Sequence, residues 1–513
     1  MIQLPPETIE LVRANFPLII VSLLSYFAVF LLISYAANRR LTGEVGDYLV
    51  ASRNLGWFVV TMTMYASVLS GVGIAGFPGM VYTVGLPFVV TVLTGHTISL
   101  VLLWYFGPRI WILGKHYHFT TPGDLLGEYY QSDTVRMYTV LASFLFNTAF
   151  IVAQLLAGGV LLNVLSGSLI STQVGILVIA VVVLLHVVTS GLRGIAWLDF
   201  FNGLVILCLL VVFGVAILLA TGGSTQAVDG LGDIRDQFIT TPGMVGAFTS
   251  TRIYGVILGL SIGVIVLSPS AWIRIYSARS QRHFTRISVA MLVLWLISHI
   301  IGSSLIGAYA RQVLPSVENP DFVSSLLAFE ALPVFFAALF LIAVLAAIIS
   351  TTDTYLHTLT ATVVRDLVRT VLAPEMKESQ EMMLNRTIIV GVAAVSVVLA
   401  LVNPVLITPL AIFAGGVTLQ LLTPLLGAVT WSRSSTEAAL IAPGVGIFLT
   451  LVWELQALNI LPQIIPNPIG ILPGLATAFF INVILFFVVS WMTRPQSPEM
   501  VDRFHGLIAR ELK

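Results

Sequence analysis

Residues 346–357 read AAIISTTDTYLH, from Ala346 to His357, inside an apolar run that extends from Val334 to Val364. Asp353 is the only Asp, Glu, Lys or Arg in that run, and the run has no proline. It is longer than the roughly 20 apolar residues that cross a hydrocarbon core, so it reads as a membrane-spanning helix. Helical spacing puts Ala347, Ser350, Thr351 and Thr354 on one stripe, with Asp353 and His357 beside it. A carboxylate inside a bilayer is costly and is normally set against a cavity, a partner or an ion. Hydroxyls grouped with a carboxylate are hard oxygen ligands suited to a small cation. The competing account is local: Ser and Thr in membrane helices often bond only the carbonyl one turn back. That account serves a single hydroxyl better than a group of them gathered around an intramembrane acid.

The whole chain has the same character. Of its 513 residues, 58% are hydrophobic and 9% charged, with a mean hydropathy of +1.00, where soluble proteins average about 25% charged residues. This excludes a soluble enzyme and indicates an all-α polytopic membrane protein. The 24 basic and 24 acidic residues cancel, which leaves no field to attract nucleic acid. A single cysteine, Cys208, excludes a disulfide framework and a thiolate metal cluster. The opening residues MIQLPPETIELVRANF have no basic n-region, so the first apolar run reads as a retained helix and not as a signal peptide.

Hydropathy predicts 13 transmembrane helices, near 16–37, 57–84, 86–106, 135–165, 172–190, 198–221, 249–271, 286–312, 332–366, 386–402, 404–431, 436–455 and 468–493. Threading them with the N-terminus outside leaves 20 Lys and Arg residues on the inner side. Only Arg13, Arg235, Arg252 and Arg311 then lie outside. The positive-inside rule therefore predicts a multi-pass protein of the cell (inner) membrane, N-terminus outside and C-terminus cytoplasmic. The inner segment 107–134 reads as an ordered connector, with a helix starting at Thr121-Pro122 where Thr caps and Pro takes the first turn. Loops 222–248 and 313–331 are the longest outer segments, with room for short helices or a lid. The tail after Met492 is too short for a kinase or enzymatic module.

Two spans are predicted to break. In 57–84, Gly71, Gly73, Gly76, Pro78 and Gly79 crowd the middle and far half. Non-helical backbone at membrane depth is tolerated only against protein or a water-filled cavity, where freed carbonyls bind cations and half-helix N-termini hold anions. The alternative use of the glycines is close helix packing, though Pro78 beside them favours a break. Span 249–271 also carries glycines and ends at Ser268-Pro269-Ser270. These are the second and seventh spans. They would be the first helix of each half in a five-plus-five inverted repeat preceded by one outer helix.

These residues resemble a known family, the sodium:solute symporters, a branch of the transporters with a LeuT-type fold. The resemblance runs over nearly the whole chain. It rests on ASVLSGVGIAGFPGMVYTVG (66–85), SGLRGIAWLDFFNG (190–203), PSAWIRIYSARS (269–280) and ISTTDTYLHTLTATVVRD (349–366). It implies an N-terminal section 1–56 with the outer helix, repeats at 57–221 and 249–431, two extra C-terminal helices in 432–493, and a cytoplasmic tail 494–513.

The resemblance further implies a sodium (Na+) site formed by the carbonyls of Ala66, Leu69 and Ala347 and the hydroxyls of Ser350 and Thr351. A second cation, present in some members, would use the positions of Asp199, Asp353 and Thr354. The implied solute pocket is lined by Ser70, Val72, Gly73, His96, Asn147, Gln154, Ser261, Ile265, Ser268 and Gln420. The chain departs from the family pattern in places: Asn202 stands where many members have Gln, and Val68 where proline-transporting relatives have an aspartate.

None of the lining positions carries a permanent charge. The expected cargo is therefore a small neutral or zwitterionic solute, amino-acid-like, or a small monocarboxylate held by a half-helix N-terminus. The expected function is sodium-coupled symport by alternating access, by a monomer or weak oligomer in the lipid bilayer. The alternatives are a proton-coupled or uncoupled transporter on the same fold, with His357 open to a proton role, or a transporter-like solute sensor. An intramembrane enzyme is excluded by spacing, since Ser350 and His357 sit about 10 Å apart along one helix, too far for a nucleophile–base bond.

Overall fold

The structure is a computed structural model that describes residues 6–38, 50–244, 249–314, 316–402 and 407–512. Arg39, Arg40, the start of the span expected at 404–431 and the end of the loop expected at 222–248 lie outside these residues. The side chains of Arg193 and Arg252 are likewise not described.

The stretch quoted above lies in the helix Val334–Thr362, deep in the bundle. Every residue from Phe340 to Thr362 is buried. An all-round apolar helix belongs in the middle of a bundle, and helices collect around this one. Among the described residues there is no strand, and eleven helices are long and apolar enough to cross a membrane. The spans expected at 172–190 and 249–271 correspond to shorter apolar helices, Thr172–Val188 and Ile253–Gly263. Length alone therefore does not establish 13 crossings.

Helical hydrogen bonding runs without a gap through Thr172–Thr221, 50 residues, but the chain cannot be straight there. Ile179 lies against Gly158, which also meets Ile348, and His186 reaches Asp353. This portion runs parallel to the central helix. Asp199 then reaches Ser350, Asn202 bonds the Ala346 carbonyl at 3.2 Å, and Phe213 packs on Phe340. That portion runs antiparallel. The chain therefore doubles back between His186 and Asp199, and both arms flank the central helix.

The break expected in 57–84 is present and sharp. Helix Trp57–Gly71 is interrupted at Ser70, with φ 41° and ψ −174°, and the chain continues through wide turns over Val72–Gly76 into helix Phe77–Val84. A non-glycine residue in that region is strained and persists only where its surroundings hold it. Two contacts do so: Gly71 N–H donates to Gln154 Oε1 (3.0 Å) and Val72 N–H to Ser70 Oγ (3.1 Å). The other expected break also occurs. The chain leaves the helix around Leu267, and Ser268 caps a new helix, Pro269–Ser277, through Ala271 N–H.

Other expectations are adjusted. Helix Pro87–Tyr117 continues through Pro108, so the connector begins later than residue 107. The predicted cap holds, with Thr121 accepting from Asp124 N–H at the head of Pro122–Tyr130. The long loops contain short helices, Ser224–Asp229, Arg235–Ile239 and Val323–Ala331. The tail folds back as well: Phe504 stacks on Tyr117 and Phe119, and Arg503 pairs with Glu128 at 2.8 Å.

The helix Ile407–Leu419 crosses the turns Val256–Gly263 with backbone against backbone. A Cβ on Gly263 would sit 2.0 Å from the Gly415 carbonyl oxygen, and one on Gly415 would sit 2.0 Å from that of Gly259. Thr418 Oγ1 adds a bond to Gly263 O at 2.9 Å. Because backbone cannot move aside as a side-chain tip can, Gly415→Val is expected to destabilise the purified protein by about 1–3 kcal/mol. A thermal melt in detergent measures this, and an unchanged melting temperature would contradict the crossing.

Candidate functional site

The last turn before the Ser70 break lies directly on the central helix. With Gly71 N–H turned to Gln154, the Ser67 carbonyl receives Thr351 Oγ1–H at 3.5 Å and Tyr355 O–H at 3.4 Å. The Gly71 Cα faces Ile348. The Ser67 carbonyl and the Thr351 hydroxyl thus meet across a buried interface, while the Ser350 hydroxyl is turned to Asp199. The Leu69 carbonyl also takes the Val72 N–H. Oxygen atoms of this kind, at this depth, suit a sodium ion, which prefers hard ligands.

The second-cation candidates have protein partners. Arg274, 3% exposed, enters from the helix Pro269–Ser277. Its Nη2 bonds Asp199 Oδ2 at 2.8 Å, Thr354 Oγ1 at 2.9 Å and also Ser67 Oγ. Its Nε donates to Thr63 Oγ1 and its Nη1 to Ser270 O, both at 3.2 Å. Asp199 Oδ1 accepts from Ser350 Oγ, and Asp353 Oδ2 is bonded to His186 Nδ1. Asp199 and Thr354 therefore share a guanidinium, while Asp353 faces the opposite arm of the hairpin. Sequence reading missed Arg274 and His186 as members of the site.

The solute candidates divide. Ser70 is at the break, with Val72 and Gly73 buried in the turns that follow it; Ile265 is buried in the second interrupted segment. Four of the candidates keep a buried polar atom without a partner: Gln154 Nε2 at the break, Asn147 Oδ1, His96 Nδ1 and Ser261 Oγ, the last beside Gly95. The ring of His96 lies 4.3 Å from that of Trp295 and 5.1 Å from that of His299, two neighbours that sequence reading did not single out. Buried polar groups are normally paired, so these atoms fit a site meant for a polar ligand. Ser268 is engaged as a helix cap. Gln420 is turned away, bonded to Thr450 and Asn482 in the C-terminal helices.

Below the site one end of the bundle is latched. Leu55 exchanges backbone bonds with Ser277 and Arg279, Arg53 donates to the Phe119 and Tyr276 carbonyls, and Trp111 Nε1 bonds Ala278 O. Nearby, Asp366 closes the 349–366 motif by accepting from Thr121 Oγ1 (2.7 Å) and Arg136 (3.4 Å).

The sequence model of the sodium:solute symporter family matches residues 48–446. The chain belongs to this family. It is a multi-pass membrane transporter and not an enzyme, and sodium is its coupling ion. A sodium/pantothenate symporter of Escherichia coli is 31% identical over 450 residues, covering 86% of this chain and 91% of the relative. A high-affinity proline transporter of Bacillus subtilis is 25% identical over 489 residues, covering 93% and 98%. The fold is similar to that of a Na+-coupled sialic acid symporter solved in a substrate-bound outward-open state, with TM-score 0.76, 18% identity, and coverage of 94% and 99%. A nucleobase-cation-symport-1 transporter in a closed conformation shares the fold at TM-score 0.54 and 16% identity, covering 90% and 98%.

Removing one member of a buried ion pair costs about 3–5 kcal/mol because the other charge is left uncompensated. Arg274→Gln is therefore expected to destabilise strongly, and adding Asp199→Asn is expected to recover most of the loss. Thermal melts of both variants decide it: a single variant as stable as the parent would mean the pair is not formed.

Proposed function

We propose that this symporter imports a small hydroxylated or amide-bearing monocarboxylate, of the chemical type of pantothenate, with one sodium ion per cycle. The observation that carries the reading is the break at Ser70, whose last helical turn offers the Ser67 carbonyl to Thr351 of the central helix. In this reading the sodium is held by the carbonyls of Ala66, Leu69 and Ala347 with the hydroxyls of Ser350 and Thr351. The guanidinium of Arg274 on Asp199 and Thr354 stands in for a second ion. The repeats lie at 57–221 and 249–431, with the N-terminus outside.

The solute reading is supported by uncharged buried polar side chains with unpartnered atoms, Gln154 at the break among them, and by the identity to the pantothenate symporter. Val68, where proline-transporting relatives hold an acid, argues against a proline-type cargo. The alternating step follows from geometry. Sodium joins the broken helix to the central helix and so holds the pocket formed. With the latched end cytoplasmic, solute arrives from the other side, and the latch must open for release. The membrane potential drives each sodium inward by about 2.3 kcal/mol per 100 mV, and by linkage sodium and solute tighten each other equally.

In proteoliposomes with an inward sodium gradient, labelled pantothenate is expected to accumulate, with a sodium activation curve that is not sigmoidal. Sodium-driven proline uptake unaffected by pantothenate would move the cargo to a zwitterion. Ser350→Ala with Thr351→Ala is expected to reduce uptake to background while leaving membrane insertion intact; uptake unchanged at low sodium would place the ion elsewhere.

A further inference from the structure

At the end of the bundle away from the latch, the structure encloses a cavity of about 470 Å³ above the broken helix. Its walls are mostly apolar, and its floor includes Gly76 and Gly79 of the broken helix. Two carboxylates line it from different parts of the chain, Asp321 in the loop before the central helix and Glu454 near the end of helix Thr436–Ala457. Asp321 is 8% exposed and accepts from Ile407 N–H at 3.4 Å; Glu454 accepts from Leu475 N–H at 2.8 Å. None of the ion pairs among the described residues uses either acid. Thr408, which lines the same cavity beside Gly76, is 2% exposed, and its Oγ1 has no hydrogen-bond partner.

We propose that this vestibule is a cation antechamber, in which Asp321, Glu454 and the Thr408 hydroxyl hold a hydrated sodium ion before it descends to the proposed site of Ala66, Leu69, Ala347, Ser350 and Thr351. The inference rests on the sodium-symport reading and extends it to a place outside the pocket. Two acids set in an apolar recess without a basic partner are costly unless a mobile cation accompanies them. Walls of low dielectric focus their field and raise the local cation concentration. Waters occupy about 30 Å³ each in the liquid, so the cavity accommodates an ion together with its hydration shell. The residues supply only oxygen ligands, as a hard monovalent ion requires. Burial raises the Asp321 carboxyl to about 6, partly offset by the Ile407 N–H, as expected of an acid that lacks a fixed counter-charge. Under the N-terminus-outside threading the vestibule opens to the outer medium, where sodium is abundant.

The test is a thermal-shift titration of the purified full-length protein with sodium chloride, total salt being kept constant with choline chloride. The parent is expected to be stabilised with a saturable midpoint, and Ser350→Ala/Thr351→Ala is expected to abolish that stabilisation. Asp321→Asn and Glu454→Gln are each expected to raise the midpoint about 3- to 10-fold, and the double variant further, through loss of the focusing field. Asp321→Glu and Glu454→Asp, which keep the charge, are expected to restore it. If the parent responds to sodium, the inner-site variant does not, and the neutral vestibule variants match the parent, the antechamber is overturned while the sodium reading stands. If the parent shows no response specific to sodium over choline, both are overturned.

Discussion

A single carboxylate ties the interior together. Asp199, fully buried, takes a hydrogen bond from Ser350 of the central helix, shares Thr354 with Arg274, and pairs with that guanidinium from the second interrupted segment. Arg274 in turn reaches Thr63 and Ser67 on the first half-helix. Four separate stretches of chain are joined around one charge pair. In an apolar interior such a pair holds only if every remaining donor and acceptor is matched, so the geometry of each stretch constrains the others. The Ser67 carbonyl of the broken helix can meet Thr351 because this network fixes its distance from the central helix.

The same arrangement separates two tasks. At the break, Gln154 takes the Gly71 amide on its Oε1 and leaves its buried Nε2 without a partner. At the latched end Arg53, Leu55 and Trp111 are bonded to carbonyls and amides of distant segments. The break leaves a buried amide donor free for a ligand, while the latched end ties separate segments of chain together. That contrast suits a protein that exposes one binding site to alternate sides.

Much of this was legible in the chain. The central helix followed from its apolar length, its acid and its hydroxyl stripe, and both interruptions followed from glycine and proline placement. What sequence could not show was long-range. The glycines pointed to a break downstream, yet it falls at Ser70, because Gln154 from another helix captures the Gly71 amide. The acids at 199 and 353 were visible as candidate ligands. Their partners, Arg274 and His186, were not, because helix rotation decides which side chains meet and periodicity in an all-apolar segment does not encode it. The hairpin Thr172–Thr221 shows the limit from the other side: its two arms were legible as spans, while its hydrogen bonding runs on through the bend.

The glycine seam between Val256–Gly263 and Ile407–Leu419 has a mechanical meaning. Interlocked side chains resist sliding, since each must climb over its neighbour before it finds the next hollow. Where Gly259, Gly263 and Gly415 bring main chain to main chain, there is little to climb. Such a contact behaves as a bearing, along which one wall of the vestibule can roll against the other without dismantling any packed layer.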